Sequence, residues 1–286
     1  MSQQLRQLKT RIKAIDGIWK VTRAMEMVAL SKFKALESPL TMSRLYFEKL
    51  SSITFNLIAS APEEKHPFLS ASRSLEAPQA LFVVSTDTGL CGGYNAHLHK
   101  TVMQYLNSNS NQRTSLYTLG RKASTHFTSR GLKPFHSFPS CHGKIRPEFF
   151  HSCYDQLAKD YLRGNIASVH VAYTSFYNPM KHHPVIKRLL PVERPAGLSQ
   201  SFEIEAEDQQ NVLSEVLPLY VAHHLRLMIM ESLTSEFSAR MVAMKASKDS
   251  AKELMGDLIL LRNKIRQAVI TKEVVEIISS SEALKG

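Results

Sequence analysis

The C-terminal part of the chain carries apolar side chains at heptad spacing, with little to interrupt a helix. Between about Asn211 and Ile278 the only helix-breaking residues are Pro218 and Gly256. A repeat of about 3.5 residues places one stripe of side chains along a helix, where it can face a second helix. The stripe consists of Phe237, Met241, Met244, Ala251, Met255, Leu258, Ile265 and Val269. We therefore predict a helix too long to lie inside one globular domain.

The N-terminal part of the chain has a second stripe with the same spacing. Its members are Leu5, Leu8, Ile12, Ile15, Trp19, Thr22, Ala29, Phe33, Leu36 and Leu40. Pro39 lies within this stretch, and because proline removes a backbone donor, we expect one long helix with a kink. Neither helix is stable alone, since its apolar face must be buried. The two ends therefore most simply pair as an antiparallel coiled coil, which a heptad repeat makes left-handed.

Between the two ends, short apolar runs alternate with helical stretches. The runs lie at 80–85, 115–120, 167–176 and, as an edge strand, 184–192, and the helical stretches lie near 95–107, 121–130 and 146–163. This alternation is typical of a small, parallel-rich sheet covered by helices. We therefore predict an α+β protein with an N-terminal helix at 1–60, an α/β domain at 75–195 and a C-terminal helix at 208–286.

The charge of the chain is unevenly distributed. The formal net charge is +11, and residues 1–57 and 58–202 carry +6 and +8, whereas residues 203–286 carry −3. Opposite signs favour pairing of the two ends, although each surface ion pair contributes only about 0–1 kcal/mol. The basic excess leaves a nucleic-acid-binding coiled coil as an alternative. Few aromatic residues accompany the basic ones, so we expect no nucleic-acid partner.

The sequence gives no sign of secretion, a disulfide framework or a membrane span. Its cysteines, Cys91, Cys141 and Cys153, are odd in number and irregularly spaced. The N-terminus lacks the apolar core of a secretion signal. No run of about 18 uncharged apolar residues occurs, because even the stretch 219–230 contains Arg226. We expect a cytoplasmic protein that reaches a membrane only through a partner.

Two groups of residues could hold a ligand. The glycine-rich segment 86–95 follows the first predicted strand and could approach a phosphate at a helix N-terminus. It has no lysine and no G-x-G-x-x-G pattern, so a structural turn is favoured, with a nucleotide-binding α/β protein as an alternative.

The second group combines residue types that can bind metals: Cys141, His142, His151 and Cys153. Their spacing is not that of a closed zinc site. The Ser, His and Asp residues are also too scattered to indicate a catalytic triad. We therefore predict no metal, no cofactor and no catalytic site in this chain.

Three blocks of sequence follow one another along the chain. The first comprises KTRIK at 9–13 and VTRAMEMVA at 21–29, the second is DTGLCGGYN at 87–95, and the third comprises ARMVAMK at 239–245 and RQAVITKEVVEI at 266–277. Together they resemble the gamma subunit family of the F-type ATP synthase. The chain departs from the family at Thr88, where a basic residue is usual, and at Ser279–Ser281, where the family has Gly-Gly-Ala.

This resemblance implies a Rossmann-like α/β/α central domain and the role of central rotor shaft. The shaft would couple ion flow through a membrane c-ring to ATP synthesis or hydrolysis at the beta subunits, by rotating within the alpha3beta3 ring. The implied partners are the alpha, beta and epsilon subunits and the c-ring, at the cytoplasmic face of the bacterial cell membrane, where the chain would be peripheral. By match to the family, the residues expected to contact the ring are Met25, Arg240, Gln267, Thr271 and Glu273.

Overall fold

The computed structural model describes residues 2–60, 66–70, 77–138, 147–193 and 206–283. The helices are α1 (Ser2–Ser60), α2 (Tyr94–Ser108), α3 (Arg121–Thr128), α4 (Pro147–Leu162) and α5 (Ala206–Ala283). The strands are β1 (Gln79–Val84), β2 (Thr114–Leu119), β3 (His136–Phe138), β4 (Ser168–Asn178) and β5 (Lys181–Leu190). The two long terminal helices and the alternating middle of the chain are therefore confirmed.

The five strands form one sheet in the order β3-β2-β1-β4-β5. The pairs β1–β2, β1–β4 and β2–β3 are parallel, and β5 is an antiparallel edge strand. The sequence did not predict β3, because three residues are too few to show an alternating pattern.

Alternate side chains of β1 pack on opposite faces of the sheet. Leu81 and Val83 belong to a core that also contains Leu98 of α2 and Phe127 of α3. Phe82 and its neighbours on the other face belong to a larger core, to which α1, α4 and α5 contribute. Because β1 is buried on both faces, its sequence is a continuous apolar run.

α1 and α5 contribute to two compact units, Met1–Ala29 with Met241–Gly286, and Leu30–Arg240. In the first unit, every predicted stripe position from Met241 to Val269 is buried or half-buried, which agrees with the heptad prediction. Lys248 interrupts the stripe, and its Nζ lies 2.7 Å from Oε2 of Glu26. The division into 1–60, 75–195 and 208–286 stays a prediction.

In the second unit, α1 and α5 run antiparallel. Lys32 Nζ lies 5.1 Å from the centre of the Phe237 ring, and the rings of Phe47 and Tyr220 stack 5.2 Å apart. Residue numbers rise along α1 as they fall along α5, which is the antiparallel order. Pro39 lies inside α1 and does not end the helix.

Part of α5 is apolar enough to raise the question of a membrane. The stretch Asn211–Ser281 meets the length and composition criteria for a membrane-crossing helix, as core helices of soluble proteins also do. Residues 228–240 of this stretch are all buried in the second unit. The expectation that the chain does not cross a membrane stays a prediction.

Gly120, between β2 and α3, is predicted to be irreplaceable. Its φ is +91°, and a Cβ would lie 2.4 Å from the carbonyl oxygen of Ser85 and 2.9 Å from that of Thr86. Gly120→Ala should therefore lower the free energy of unfolding by about 3 kcal/mol, as measured by urea denaturation. Gly131→Ala is the control. The φ of Gly131 is +80°, and a Cβ there would have no other heavy atom within 4 Å, so this variant has the backbone strain without the steric clash. It should lose only about 1 kcal/mol, and equal losses would contradict the clash.

His99 of α2 is a buried titratable residue, with only 5% of its surface exposed. Its ring lies 4.1 Å from that of His126. Burial, and secondarily the charges of His126 and Arg130, lowers the pKa of His99 from 6.5 to about 4. The pKa of His99 is lower in the folded protein than in the unfolded chain. The contribution of neutral His99 to the free energy of unfolding is therefore fully present above pH 6.5 and is lost as the pH falls towards 4.

Urea denaturation between pH 7 and pH 5 tests this dependence on His99. The free energy of unfolding should fall with pH, with this residue contributing at most about 1.4 kcal/mol per pH unit. His99→Gln should make the slope shallower without abolishing it, because burial also lowers the pKa of His224 to about 4. Ala96→Gln, at an exposed position of the same helix that carries no titratable group, should leave the slope unchanged. A His99→Gln protein with the wild-type slope would refute the assignment.

Candidate functional site

The polar face of α5 lies against the carboxyl ends of β1 and β4. From β1 the chain adds β2 and β3 on one side of the sheet and then β4 and β5 on the other side. The carboxyl ends of β1 and β4 therefore form the switch point, which is where doubly wound sheets bind ligands. Here Ser232 Oγ donates to the carbonyl oxygen of Val84 at 3.2 Å, and Ser235 Oγ to that of Thr174 at 3.2 Å. The chain's own helix therefore occupies the place that a ligand takes in such folds.

Tyr94, the first residue of α2, joins this contact. Its hydroxyl donates to the carbonyl oxygen of Ser232 at 3.0 Å and lies 2.7 Å from Ser232 Oγ. Burial raises the pKa of the Tyr94 phenol, so the hydroxyl stays protonated and able to donate. A third serine, Ser238, donates through Oγ to the carbonyl oxygen of Pro179 at 2.7 Å. Hydroxyl groups therefore hold α5 against β1, β4, the first residue of α2, and Pro179 between β4 and β5.

The glycine-rich segment 86–95 is a braced turn between β1 and α2. Asn95 Nδ2 donates to Thr86 Oγ1 at 2.7 Å, and Ser85 Oγ donates to Asn95 Oδ1 at 2.9 Å. The turn is also tied to the start of α3, where the backbone amide of Arg121 donates to Asp87 Oδ1 at 3.2 Å and that of Lys122 donates to the carbonyl oxygen of Thr86 at 2.9 Å. This geometry favours the structural turn over the phosphate-binding alternative.

Arg240 binds this turn from α5. Its Nη1 lies 2.7 Å from Glu236 Oε1, and its Nη2 donates to the carbonyl oxygen of Thr88 at 3.2 Å and to Thr88 Oγ1 at 3.1 Å. Arg240 is 6% exposed. Burial raises the pKa of Glu236, and the neighbouring Arg240 opposes this effect. Thr88, where the resemblance leads us to expect a basic residue, thus supplies two acceptors for Arg240, its carbonyl oxygen and its hydroxyl oxygen.

The other residues expected at the ring lie in the first unit. Met25 is half-buried on α1, next to the ion-paired Glu26. Gln267, Thr271 and Glu273 are exposed on α5. Gln267, Thr271 and Glu273 are therefore accessible to a partner, whereas the Arg240 guanidinium forms its hydrogen bonds and ion pair within the chain.

Sequence reasoning missed an exposed apolar stripe in the same part of α5. Burial along α5 stops after Val269. Beyond it, large apolar side chains are between 48% and 68% exposed: Ile270, Val274, Val275, Ile277 and Ile278. Their spacing of three and four residues was visible in the sequence but lies off the predicted heptad stripe. A row of this kind favours contact with another molecule.

The candidate metal-binding residues do not form a described site. Cys141 and His142 lie outside the described residues, and Cys153 is buried. Within the part of the chain that the structure describes, no group of three or more His, Cys, Asp or Glu side chains could hold a metal ion.

Comparison with known proteins shows the family to which the chain belongs. The family model of ATP synthase matches residues 4–284. A protein of Cupriavidus metallidurans named ATP synthase gamma chain is 35% identical over 301 residues, which cover 98% of this chain and 99% of that protein. The chain belongs to the ATP synthase gamma chain family. The gamma chain of an Anaeromyxobacter species is 32% identical over 291 residues, again covering 98% of this chain and 99% of the relative.

Solved structures share the fold of this gamma-family chain. A chain of the Euglena gracilis mitochondrial ATP synthase, in a structure of OSCP, F1 and the c-ring in rotational state 3, aligns with a TM-score of 0.68. The alignment covers 99% of this chain and 95% of that one at 15% identity. A chain of the rotor of the same enzyme in rotational state 1 gives a TM-score of 0.63 at 14% identity, covering 94% and 100%. The paired long helices and the mixed sheet are thus the architecture of such rotor chains.

The ion pair of Arg240 with Glu236 generates a stability prediction. Arg240→Met would leave Glu236 buried without its cation, and should lower the free energy of unfolding by about 3–5 kcal/mol. Adding Glu236→Gln removes the buried charge and should restore the part of this loss that comes from the unpaired carboxylate, but not the part that comes from the bonds of Arg240 to Thr88. Urea denaturation of the isolated chain measures both variants. A double variant no more stable than Arg240→Met would contradict the pairing.

Proposed function

We propose that this chain, the gamma chain and central stalk subunit of an ATP synthase, is its rotating shaft. In this proposal the shaft turns inside a ring of three alpha and three beta subunits and couples ion flow through a membrane c-ring to ATP synthesis or hydrolysis. The epsilon subunit is the further proposed partner, and no nucleic acid takes part. Sequence similarity to named gamma chains over nearly the whole length supports the assignment.

The proposed mechanism depends on a difference in symmetry. Three beta subunits surround one shaft that has no threefold symmetry, so each beta subunit meets a different face of it. A contact can change the affinity of a catalytic site only by its difference in free energy between the states of that site. A difference of about 1.4 kcal/mol changes the affinity for ATP about tenfold.

The observation that carries the proposal is the series of exposed apolar side chains along the first unit. On α1 these are Ile18, Val21, Met27 and Val28, and on α5 they include Leu254, Leu260, Leu261, Ile270 and Ile277. Single exposed apolar residues are ordinary, but a series along paired helices favours a partner that surrounds them. Spreading the contact over many moderate sites suits rotation, since one deep contact would hold the shaft at one angle.

We propose Met25, Gln267, Thr271 and Glu273 as direct contacts with the ring. For Arg240 we propose an indirect contact, because its guanidinium is bound within the chain. Arg240 holds the turn at Thr88, and Leu90 in the same turn is 61% exposed. In this proposal Arg240 presents the turn to the ring.

Catalysis and location are also part of the proposal. We propose that ATP is made and hydrolysed at the beta subunits and that this chain has no catalytic site of its own. Its bacterial relatives belong to a membrane-associated enzyme, and we propose a peripheral position at the cytoplasmic face of the cell membrane. Contact with the membrane would then be made only through the c-ring and other partners.

Co-expression with the alpha and beta subunits of the same organism tests this function. One copy of the chain should purify with an alpha3beta3 ring and rotate when ATP is added. Replacing Gln267, Thr271 and Glu273 together by Ala should slow ATP-driven rotation about tenfold if the lost contacts amount to about 1.4 kcal/mol. Unfolding of the isolated chain should not change, since the three side chains are exposed.

A matched control replaces Lys100, Gln104 and Asn107 together by Ala, three exposed residues of α2, a helix of the second unit for which no ring contact is proposed. This variant should rotate at the wild-type rate. Failure of the wild-type chain to assemble with the ring would overturn the proposed function. Equal slowing by both triple variants would overturn the assigned contacts alone.

A further inference from the structure

Three elements of the second unit meet at Glu231. Arg44 of α1 donates to Glu231 Oε1 of α5 through Nε at 3.0 Å and through Nη2 at 2.6 Å. The other carboxylate oxygen, Oε2, accepts from Ser175 Oγ of β4 at 2.9 Å. Arg44 Nη2 also donates to the carbonyl oxygen of Phe176 on β4. Glu231 is 8% exposed, so its carboxylate is largely shielded from water, whereas the Arg44 side chain is 39% exposed.

The packing around this set is apolar and aromatic. Phe33 of α1 faces Phe176 of β4 at a ring distance of 5.8 Å, and Phe47 of α1 stacks on Tyr220 of α5 at 5.2 Å. Apolar attraction is non-directional, so such surfaces resist separation better than they resist sliding. A charged, forked hydrogen bond fixes both distance and angle. Arg44 and Glu231 therefore supply resistance to shear that the aromatic contacts do not.

We propose that Arg44 and Glu231 are positioning residues that transmit torque, a role that rests on the proposed function. They lock α1, α5 and β4 against rotation about the helix axes. Torque applied to the sheet then reaches both long helices without slip. The hydroxyl contacts of Ser232 and Ser235 fix α5 on the sheet, but they do not reach α1.

Stability alone does not account for this arrangement. A buried ion pair is often replaced by apolar residues of similar volume without loss of folding stability. What an apolar replacement cannot reproduce is the fixed angle between the three elements. The proposal therefore predicts a mechanical defect in variants whose folding is otherwise sufficient.

The test compares Glu231→Gln, Arg44→Gln and the double variant in the assembled rotary complex. Glu231→Gln keeps the shape of the side chain and an acceptor for Ser175 while removing the charge. In single-molecule rotation, each single variant should keep the unloaded speed and lose stall torque. The double variant should lose no more than either single variant, because both belong to one interaction.

Two matched controls separate this role from charge and from stability. Glu193→Gln removes the acid of the exposed Arg188–Glu193 pair, which does not involve α1 or α5. Ile229→Val truncates a fully buried side chain of α5 and costs stability without touching the clasp formed by Arg44, Glu231 and Ser175. Both should keep the wild-type stall torque, whereas a loss in Ile229→Val equal to that in Glu231→Gln would overturn the proposal.

The behaviour of the wild-type chain separates the proposed function from the proposed role of Arg44 and Glu231. A wild-type chain that does not rotate in the ring overturns the proposed function. A wild-type chain that rotates, with Glu231→Gln and Arg44→Gln at wild-type stall torque, overturns only the role of the clasp.

Discussion

The constraint on which the structure depends is that two very long helices must each bury an apolar stripe. α1 has 59 residues and α5 has 78, and neither is stable in water without a partner. Because the stripes lie at opposite ends of the chain, their pairing turns the middle of the chain into an insertion between two helices. The entropy of closing such a long connection rises only slowly with its length. A sheet domain can therefore be inserted there without opposing the pairing.

α5 packs in a different way in each unit. From Met228 to Arg240 every residue is buried, whichever face of the helix it occupies. From Met241 onward, only the stripe side is buried or half-buried. Four of these thirteen residues, Ser232, Thr234, Ser235 and Ser238, carry small hydroxyl groups, and each of them donates to a carbonyl oxygen, since a helix surrounded by protein must bond its polar groups internally. One continuous helix is thus a core helix in one unit and half of a coiled coil in the other.

The sequence predicted periodic features and missed the contacts made by single residues. Heptad stripes and apolar runs recur at fixed spacing, so the long helices and the four longer strands could be inferred from local pattern. Arg44 and Glu231 are 187 positions apart, and no periodicity links them. Ser232 and Ser235 resemble surface residues in sequence, because burial of a hydroxyl depends on a carbonyl supplied by a distant strand. Arg240 was expected at a partner by resemblance, yet its ion pair with Glu236 and its bonds to Thr88 lie within the chain.

The two kinds of contact suit the two tasks of the proposed shaft. A surface that meets several partners in turn must bind each of them moderately, and adaptable or small side chains such as Met244 and Ala251 suit this demand, although Lys248 and Glu26 form an ion pair among them. A joint that carries torque must instead hold one geometry, which requires directional bonds to charged or hydroxyl groups. Directional bonds are frequent between Glu231 and Arg240, and apolar, adaptable packing is more frequent from Met241 onward. In the proposed shaft, this change along α5 is therefore a change in the mechanical demand on the helix as well as in its surroundings.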